Sequence, residues 1–292
     1  MLSQLVLNGI IAGSAYALLA LGFGLIYSVT RFFHFAHGGV YTFAAYGTFF
    51  AVTQLGLSLP GAIIFSITLS AALGAAIDFS VYRPLRIRKA QSTVFLLASL
   101  GLFIIIQNFI SILFGDDTKS IRRGLVSEGL LVLGARITPI QIVIVAASAG
   151  FCFLTWLALH ATTMGRVVRA VSNDAELARV VGVNSDRVVV SVFAIGSVLA
   201  GVAAIIRSLD SDMTPTIGFE ALLMGVVAMI IGGVGSVSGA LLGGLFVGLV
   251  RNLGVWKLPT EWQDAIVFVV LIAFLLLRPQ GFLGRRLRSS SI

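Results

Sequence analysis

Long hydrophobic runs separated by short polar intervals make up most of this chain. Runs of roughly 20 apolar residues favour helices that cross a membrane, whereas strands of a membrane barrel alternate apolar and polar residues in units of about ten. The long runs are residues 4–28, 60–81, 93–114, 138–159, 188–206 and 262–277, and shorter ones are 40–54 and two parts of 221–250. The pattern predicts an all-α integral membrane protein, a polytopic bundle of 8–9 spans that includes short, broken, glycine-rich helices.

Composition agrees with this pattern. Of the 292 residues, 58% are hydrophobic and only 11% are charged, which excludes an ordinary soluble domain and favours a single transmembrane domain over residues 1–292. Basic residues outnumber acidic ones by 20 to 12, but they form no compact patch with aromatic residues, so we expect no nucleic-acid partner. Cys152 is the only cysteine, so the chain has no internal disulfide and no thiolate metal site.

The positions of the basic residues predict the topology. The stretch 83–89 carries four positive charges without an acid, and the interval 161–190 carries four arginines, so both are expected on the cytoplasmic side. The basic tail, with Arg285, Arg286 and Arg288, reaches the same side only if the run 221–250 turns back. Its glycine- and serine-rich part, residues 230–244, predicts a broken hairpin inside the bundle, near a pathway.

The interval 161–190 is the one long polar stretch in the second half of the chain. From Asn173 to about Gly182 it has a helix-start residue, good helix formers and a closing glycine, which predicts a short amphipathic helix exposed to water. Two interpretations remain open: an ordinary connecting loop, or a handle on which a soluble partner pushes.

Small residues at four-residue spacing predict close helix packing. One set is Gly9, Gly13 and Ala17, and another is Ala240, Gly244 and Gly248. The two halves of the chain also have a similar pattern. Each contains a broken element, near residues 30–54 and near 220–250, that follows a complete helix rich in small residues. Such a correspondence is typical of the central site of a transporter.

Few residues suggest chemistry. His34 and His37 could share one helix face, but too few further ligands are available for a metal site, and packing at a helix break is favoured. Asp78 lies inside a span and is expected to pair with Arg83. Gln107 and Asn108 are expected to form hydrogen bonds between helices rather than bind a solute.

Enzyme motifs are absent from the sequence. It contains no HExxH, no GxSxG within a span and no pair of acids buried at mid-membrane. It also lacks GxxxxGK[ST], so the chain itself binds no ATP in the P-loop manner. If ATP drives this protein, another subunit binds the ATP.

Several motifs together resemble the permease subunits of branched-chain amino acid ABC importers, on the LivH side of the LivH/LivM pair. They are GSAYALLALGFGLIYSVTRFFHFAHGG near the start, VYRPLR at 81–86, Gln107 and Asn108, MGRVVRAVSNDAELARVVGVNSDRV in the polar interval, and GGVGSVSGALLGG near the end. The resemblance implies a multi-pass protein of the bacterial plasma (inner) membrane, in contact with membrane lipid. It further implies a second, LivM-like permease, two cytoplasmic ABC ATPases that bind ATP and magnesium, and a periplasmic or surface-tethered solute-binding protein.

The resemblance also implies roles for particular residues. It makes residues 161–187, called the coupling segment below, the part that docks on the ATPase. The coupling positions it implies are Gly165, Arg166, Arg169, Asp174, Glu176, Ala178 and Gly182. Candidates for the translocation pathway are His34, His37, Gly38, Gly39, Gln107, Asn108, Met224, Gly232, Gly233, Gly235 and Ser236.

This sequence departs from the family pattern at two charged positions. The usual NFAHGE is HFAHGG here, with His34 for asparagine and Gly39 for glutamate, and Met224 replaces a common lysine. Branched-chain or other hydrophobic amino acids are the expected solute. An importer of urea, short amides or another small organic solute stays open, as does a stand-alone carrier or channel.

Overall fold

The hydrophobic runs fold as helices in the computed structural model, which describes residues 1–122, 129–132 and 134–284. The basic tail, Arg285, Arg286 and Arg288, lies outside the described residues. The first half contains α1 (Leu2–Thr30), α2 (Ala36–Thr53), α3 (Leu59–Ile77), a π-helical turn (Asp78–Tyr82), α4 (Arg83–Ile87) and α5 (Ser92–Phe114). The second half contains α6 (Pro139–Ala161), α7 (Thr163–Asn173), α8 (Ala175–Val180), α9 (Ser185–Asp210), α10 (Ile217–Gly232), α11 (Val237–Gly254), a 3₁₀ turn (Thr260–Trp262) and α12 (Gln263–Leu277).

Seven helical segments in the described residues are long and apolar enough to cross a membrane. They are α1, the continuous helical segment Leu59–Ile87, α5, α6, α9, α11 and Thr260–Leu277. With α2, of 18 residues, and α10, of 16, the hydrophobic helices number nine, which confirms the predicted helical membrane fold. A small antiparallel hairpin, β1 (Leu130–Val132) and β2 (Ala135–Ile137), interrupts the helical pattern in the polar interval before α6.

Two helices form the centre of the bundle. In α1, 89% of the most hydrophobic stretch is buried, and in α9 72% is buried, against 22% in α5 and α6 and 6% in Thr260–Leu277. The peripheral helices therefore have apolar faces that the described residues leave uncovered. Such faces are suited to lipid or to another membrane subunit, because both are as apolar as the side chains they meet.

The two halves pack by the same scheme. The central helix of the first half, α1, packs on α10 and α11, and the central helix of the second half, α9, packs on α2 and α3. The halves meet where α1 contacts α9 and α2 contacts α10. Because α1 is the first pass and α9 the sixth, they run in opposite directions. This arrangement is an inverted repeat, in which the broken elements near residues 30–54 and 220–250 occupy corresponding places in the two halves.

The predicted small-residue repeats lie against each other. A Cβ atom added to Gly244 would be 2.4 Å from the backbone nitrogen of Ala17, and one added to Gly248 would be 2.3 Å from the carbonyl oxygen of Gly9. Neither position has room for a side chain. The repeats on α1 and α11 therefore bring the two backbones into direct contact, which accounts for the close packing predicted for each repeat.

The run 221–250 turns where its glycines cluster. Helix α10 ends at Gly232 and α11 begins at Val237, and the turn between them has positive φ at Gly233 (103°) and Gly235 (77°). The hydroxyl of Ser236 accepts a hydrogen bond from the backbone nitrogen of Gly239 at 3.0 Å and caps α11. The predicted hairpin is confirmed.

Candidate functional site

The coupling segment folds as two helices rather than one. The sequence predicted a single helix from Asn173 to about Gly182, but the structure has α7 before Asp174 and only the short α8 after it. Asp174 separates them because its backbone is extended (φ −155°, ψ 107°). Its carboxylate accepts hydrogen bonds from the backbone nitrogens of Glu176 and Leu177 at 2.9 Å, which caps α8. Gly182, with φ 87°, allows the turn after α8, as predicted.

Helix α8 presents apolar side chains to solvent. Leu177 is 61% exposed, Val180 82% and Val181 72%, beside the exposed charges of Glu176 and Arg179. Ala178, on the opposite face, is 3% exposed and packs on the hydrophobic core. A compact exposed apolar patch with charges at its edge is typical of a surface that another protein covers.

The coupling segment is fastened to α6 by two of the predicted coupling residues. A Cβ atom added to Gly165 would lie 2.1 Å from the carbonyl oxygen of Leu159, so only glycine lets α7 approach the end of α6 this closely. Arg169 donates a hydrogen bond to the same carbonyl oxygen. Arg166, by contrast, is exposed and is free to meet a partner. A displacement of α7 would therefore move the end of α6.

Two further hydrogen bonds join α7 to α1. The hydroxyl of Ser172 donates to the carbonyl oxygen of Ser28 at 2.9 Å, and Arg31 donates to the carbonyl oxygen of Ser172 at 2.5 Å. Arg31 sits where α1 ends in a left-handed turn (φ 59°). Sequence reasoning missed both Ser172 and Arg31, although each is a polar residue at the end of a predicted helix.

Asp78 pairs with Arg86, so the predicted pair with Arg83 is wrong. The Asp78 carboxylate is fully buried and lies 2.5 Å and 3.0 Å from two nitrogens of Arg86. Arg83 instead follows the π-helical turn and lies over the ring of Phe79 at 5.4 Å. Arg86 also lies 3.8 Å from Asp186, in the first turn of α9.

The two histidines among the pathway candidates are packed inside the protein. They lie at the α1–α2 break and are 1% (His34) and 0% (His37) exposed. Nδ1 of His34 is 3.0 Å from the hydroxyl of Tyr82, and its ring also contacts Phe32 and Phe193 edge-on. Among the described residues, no group of three or more His, Cys, Asp or Glu is placed to hold a metal ion. This geometry agrees with packing at a helix break.

The glycines that follow these histidines are also closely packed against other helices. A Cβ atom on Gly38 would be 2.6 Å from the carbonyl oxygen of Gly218, so the first turns of α2 and α10 touch. One on Gly39 would be 3.2 Å from two side-chain atoms of Ile106. Met224 is 1% exposed. Within the described chain these positions join helices and do not line an open passage.

Gln107 and Asn108 lie on α5, half-buried and exposed respectively. The amide of Asn108 donates to the carbonyl oxygen of Ile104 in its own helix at 2.8 Å. The expected hydrogen bond from Asn108 to another helix is therefore not made within the described residues. The reason is that α5 is peripheral, so this side chain points away from the bundle.

The hairpin turn lies at the end of the bundle that carries the coupling segment, not deep inside the bundle as predicted. Residues 281–284 fold back over it: Phe282 donates to the carbonyl oxygen of Ile231 at 2.8 Å, and Leu283 to that of Gly232 at 3.0 Å. Gly233, Gly235 and Ser236 line a cavity of only about 20 Å³ beside Gly24 and Ser28. That volume suits about one water molecule, so it is too small for an amino acid.

One family of known proteins matches most of this chain. The profile of the family described as "Branched-chain amino acid transport system / permease component" matches residues 5–275. The chain belongs to this family. It is a permease component of a transport system and a multi-pass membrane protein, and it resembles characterised members over nearly its whole length.

Curated relatives of this permease come from bacteria and an archaeon. It is 33% identical to the high-affinity branched-chain amino acid transport system permease protein LivH of Escherichia coli (strain K12), over 97% of this chain and 95% of LivH. Identity to the corresponding protein BraD of Pseudomonas aeruginosa is 33%, over 97% and 96% of the two chains. The probable LivH of Methanocaldococcus jannaschii is 25% identical, over 96% and 92%.

The contacts of the permease divide the predicted residues into two groups. In the coupling segment, Gly165, Arg169 and Ala178 hold the segment on the bundle, while Arg166, Glu176 and the apolar face of α8 remain available. The pathway candidates are mostly buried in helix contacts. The structure thus places the predicted coupling residues in one folded segment, partly buried and partly exposed, but does not bring the predicted pathway residues together around one cavity.

Proposed function

We propose that this permease is the membrane-spanning subunit of an ABC importer of branched-chain amino acids, and that its coupling segment docks on a cytoplasmic ATPase. The observation that carries the proposal is the exposed apolar face of α8, mounted on a segment that is bonded to the ends of α1 and α6 and runs directly into α9. A soluble partner bound to this face would therefore be connected mechanically to three helices of the bundle.

The contacts of the coupling segment support a mechanical role. Closure of an ATPase pair would push α8 and, through Asp174, which joins the two helices directly, would also displace α7. The Ser172–Ser28 and Arg31–Ser172 hydrogen bonds would pass that displacement to α1. The Arg86–Asp186 contact would pass it from α9 to the segment after α3. Alternating access then arises from rocking of the two inverted halves.

The partners follow from this mechanism. A second, LivM-like permease would complete the pathway against the uncovered faces of the peripheral helices. Two ATPases would bind ATP and magnesium, since the sequence of this chain has no P-loop motif. A periplasmic or surface-tethered binding protein would deliver the solute to the opposite end of the bundle. The assembly would lie in the bacterial plasma membrane.

Packing accounts for both departures in HFAHGG without a change of solute. His34 bonds to Tyr82 inside an aromatic cluster, and the space beside Gly39 is filled by Ile106. Neither position lines a solute-sized cavity in the described part of this chain. The missing glutamate therefore does not favour urea or a short amide over a branched-chain amino acid, and the relatives named for branched-chain amino acid transport support the latter.

Docking of α8 is tested by placing a charge on its exposed face. Val180→Asp should weaken association with the co-expressed ATPase by about tenfold or more, since a charge would be buried in the interface. The measurement is the amount of ATPase that co-purifies with the tagged permease. Val180 is 82% exposed, so folding of the permease itself should not change.

Leu131→Asp is the matched control, because Leu131 is also an exposed apolar residue (74%) but lies before α6, at the other end of the bundle. It should leave ATPase association intact. Equal ATPase recovery with Val180→Asp and the unaltered protein would contradict docking through α8.

A further inference from the structure

A polar cavity of about 320 Å³ lies at the end of the bundle opposite the coupling segment. It is bounded by the first parts of α1, α6, α10 and α12 and by the last turns of α9 and α11. Cavities that hold small molecules have volumes of about 300–1,000 Å³. The space is therefore large enough for an amino acid, in contrast to the cavity beside the glycine hairpin.

One wall of the cavity carries a guanidinium that is already paired. Arg251 donates hydrogen bonds to the hydroxyl of Tyr16 and the carboxylate of Glu220, and it lies 3.1 Å from the carboxylate of Asp264. These contacts tie together α1, α10, α11 and α12. Two carboxylates around one guanidinium leave this wall with an excess negative charge, so it cannot take up an anion but can attract a cation.

The other wall carries two charges without a counter-ion. Arg207 and Asp210 are three residues apart on α9 and share a helix face. Neither forms an ion pair within 4.0 Å with any residue that the structure describes. Arg207 donates to the hydroxyl of Ser211, and Asp210 accepts a hydrogen bond from the side chain of Gln141 at 3.3 Å. Separate opposite charges are thus presented to one cavity.

The third feature of the cavity is an apolar surface in its lining. Ile11, Ala12 and Ala15 of α1 and Ile144 of α6 form it. We propose that the cavity binds a zwitterionic aliphatic α-amino acid. Arg207 holds the carboxylate, Asp210 holds the ammonium group, and the apolar surface receives the side chain.

The charge pattern distinguishes this solute class from the alternatives. A neutral solute such as urea gains little from two unpaired opposite charges, and a solute with a single charge satisfies only one of them. A zwitterion satisfies both with charge-assisted hydrogen bonds. This inference rests on the proposed function, since it takes an amino acid as the transported solute, and it adds the residues that meet that solute.

The location of the cavity links it to the coupling segment. Its apolar surface belongs mainly to α1, whose far end is bonded to Ser172, and its unpaired charges belong to α9, which continues from the coupling segment. A displacement of that segment would change the distance between the two walls. Binding at one end of the bundle is then coupled mechanically to ATP hydrolysis at the other.

Protection of an introduced cysteine from a membrane-impermeant maleimide tests the proposal. The complete importer complex is reconstituted in nanodiscs with Cys152→Ser in this chain, which removes its one natural thiol. Two variants are then made in this background, one with Ala12→Cys and one with Asn252→Cys, so that each permease carries a single thiol in the cavity lining. Millimolar L-leucine should slow labelling at both reporters, whereas leucinamide, which lacks the carboxylate, and 4-methylpentanoate, which lacks the ammonium group, should not.

Variants at the charged wall complete the test. Arg207→Gln should raise the half-protecting leucine concentration by about tenfold or more, since a hydrogen-bonded charge is lost. Arg122→Gln is the matched control, because Arg122 pairs with Asp212 at the same end of the bundle but does not line the cavity. It should leave protection unchanged.

Two outcomes would overturn this assignment. One is the absence of leucine protection at both reporters in a complex that imports leucine on ATP addition, and the other is equal protection with Arg207→Gln. In both cases the proposed import function stands. Failure of the unaltered complex to import leucine with ATP would instead contradict the proposed function, and protection by urea or leucinamide would contradict the zwitterionic class.

Discussion

At the scale of single residues, buried charges in this permease are held by specific partners, and the partners are not those nearest in sequence. Asp78 has no exposed side-chain surface, so its carboxylate depends on Arg86 for compensation. Arg83 lies closer in sequence but is directed to Phe79 by the π-helical turn. The pair therefore fixes the end of the helical segment that follows α3.

Removal of one partner should be strongly destabilising. Arg86→Gln leaves the buried carboxylate of Asp78 unpaired, at a cost of about 3–5 kcal/mol. The measurement is the thermal unfolding midpoint of the purified permease in detergent, which should fall clearly below that of the unaltered protein.

Arg83→Gln is the matched control for this change, because it removes an equal charge three positions away that has no carboxylate partner among the described residues. It should shift the midpoint much less. A larger loss with Arg83→Gln than with Arg86→Gln would show that the predicted pair, not the observed one, carries the stability.

At the scale of elements, the contact between α1 and α11 depends on small residues. Gly244→Ala adds a methyl group 2.4 Å from the backbone of Ala17, which no side-chain adjustment can relieve. Overpacking of this kind costs about 1–3 kcal/mol. We expect a lower unfolding midpoint in detergent.

The control is Gly150→Ala on α6, where an added Cβ atom meets nothing within 4 Å. Alanine in a helix is favoured over glycine by about 0.5–1 kcal/mol, so this variant should be neutral or slightly more stable. If Gly244→Ala were as stable as Gly150→Ala, the direct backbone contact would not exist.

Sequence patterns predicted elements well where the pattern itself forces the geometry. The glycine cluster predicted the turn before Val237, and two four-residue repeats predicted close helix packing, which the structure shows between α1 and α11. Patterns failed where tertiary contacts decide. Helix α7 was missed because Asp174 both ends one helix and caps the next. The partner of Asp78 was missed because a π-helical turn cannot be recognised from residue spacing.

The residues of the polar cavity also could not be predicted from sequence patterns. Its charged residues, Arg207, Asp210, Glu220 and Arg251, come from three helices that are distant in sequence. Each is an ordinary polar residue near the end of a hydrophobic run. Only the inverted packing of the two halves brings them around one space, and no local pattern encodes that packing.

At the scale of the whole molecule, the inverted halves place the coupling segment and the polar cavity at opposite ends of the bundle. The excess of basic residues in 83–89 and 161–190 favours the cytoplasm for the end that carries the coupling segment. The cavity would then open to the outside, where a binding protein delivers the solute. The permease must therefore lie in the membrane with the coupling segment on the cytoplasmic side and the polar cavity on the outer side.

Orientation is checked with single cysteines in a Cys152→Ser background. Val181→Cys, next to α8, should react with an impermeant maleimide only in inside-out vesicles, and Leu131→Cys only in right-side-out vesicles. Val181 and Leu131 are both more than 70% exposed, at 72% and 74%, so both should label readily once accessible. The reverse pattern would place the coupling segment outside and exclude contact with a cytoplasmic ATPase.

ATP-driven import is tested most directly by uptake of labelled L-leucine into proteoliposomes that contain this permease with its co-purified partners and its binding protein. We expect uptake to require ATP and the ATPase. We also expect Val180→Asp to reduce uptake in parallel with ATPase association. Leucine flux through the permease alone, without ATP, would contradict ATP-driven import and would make the protein a stand-alone carrier.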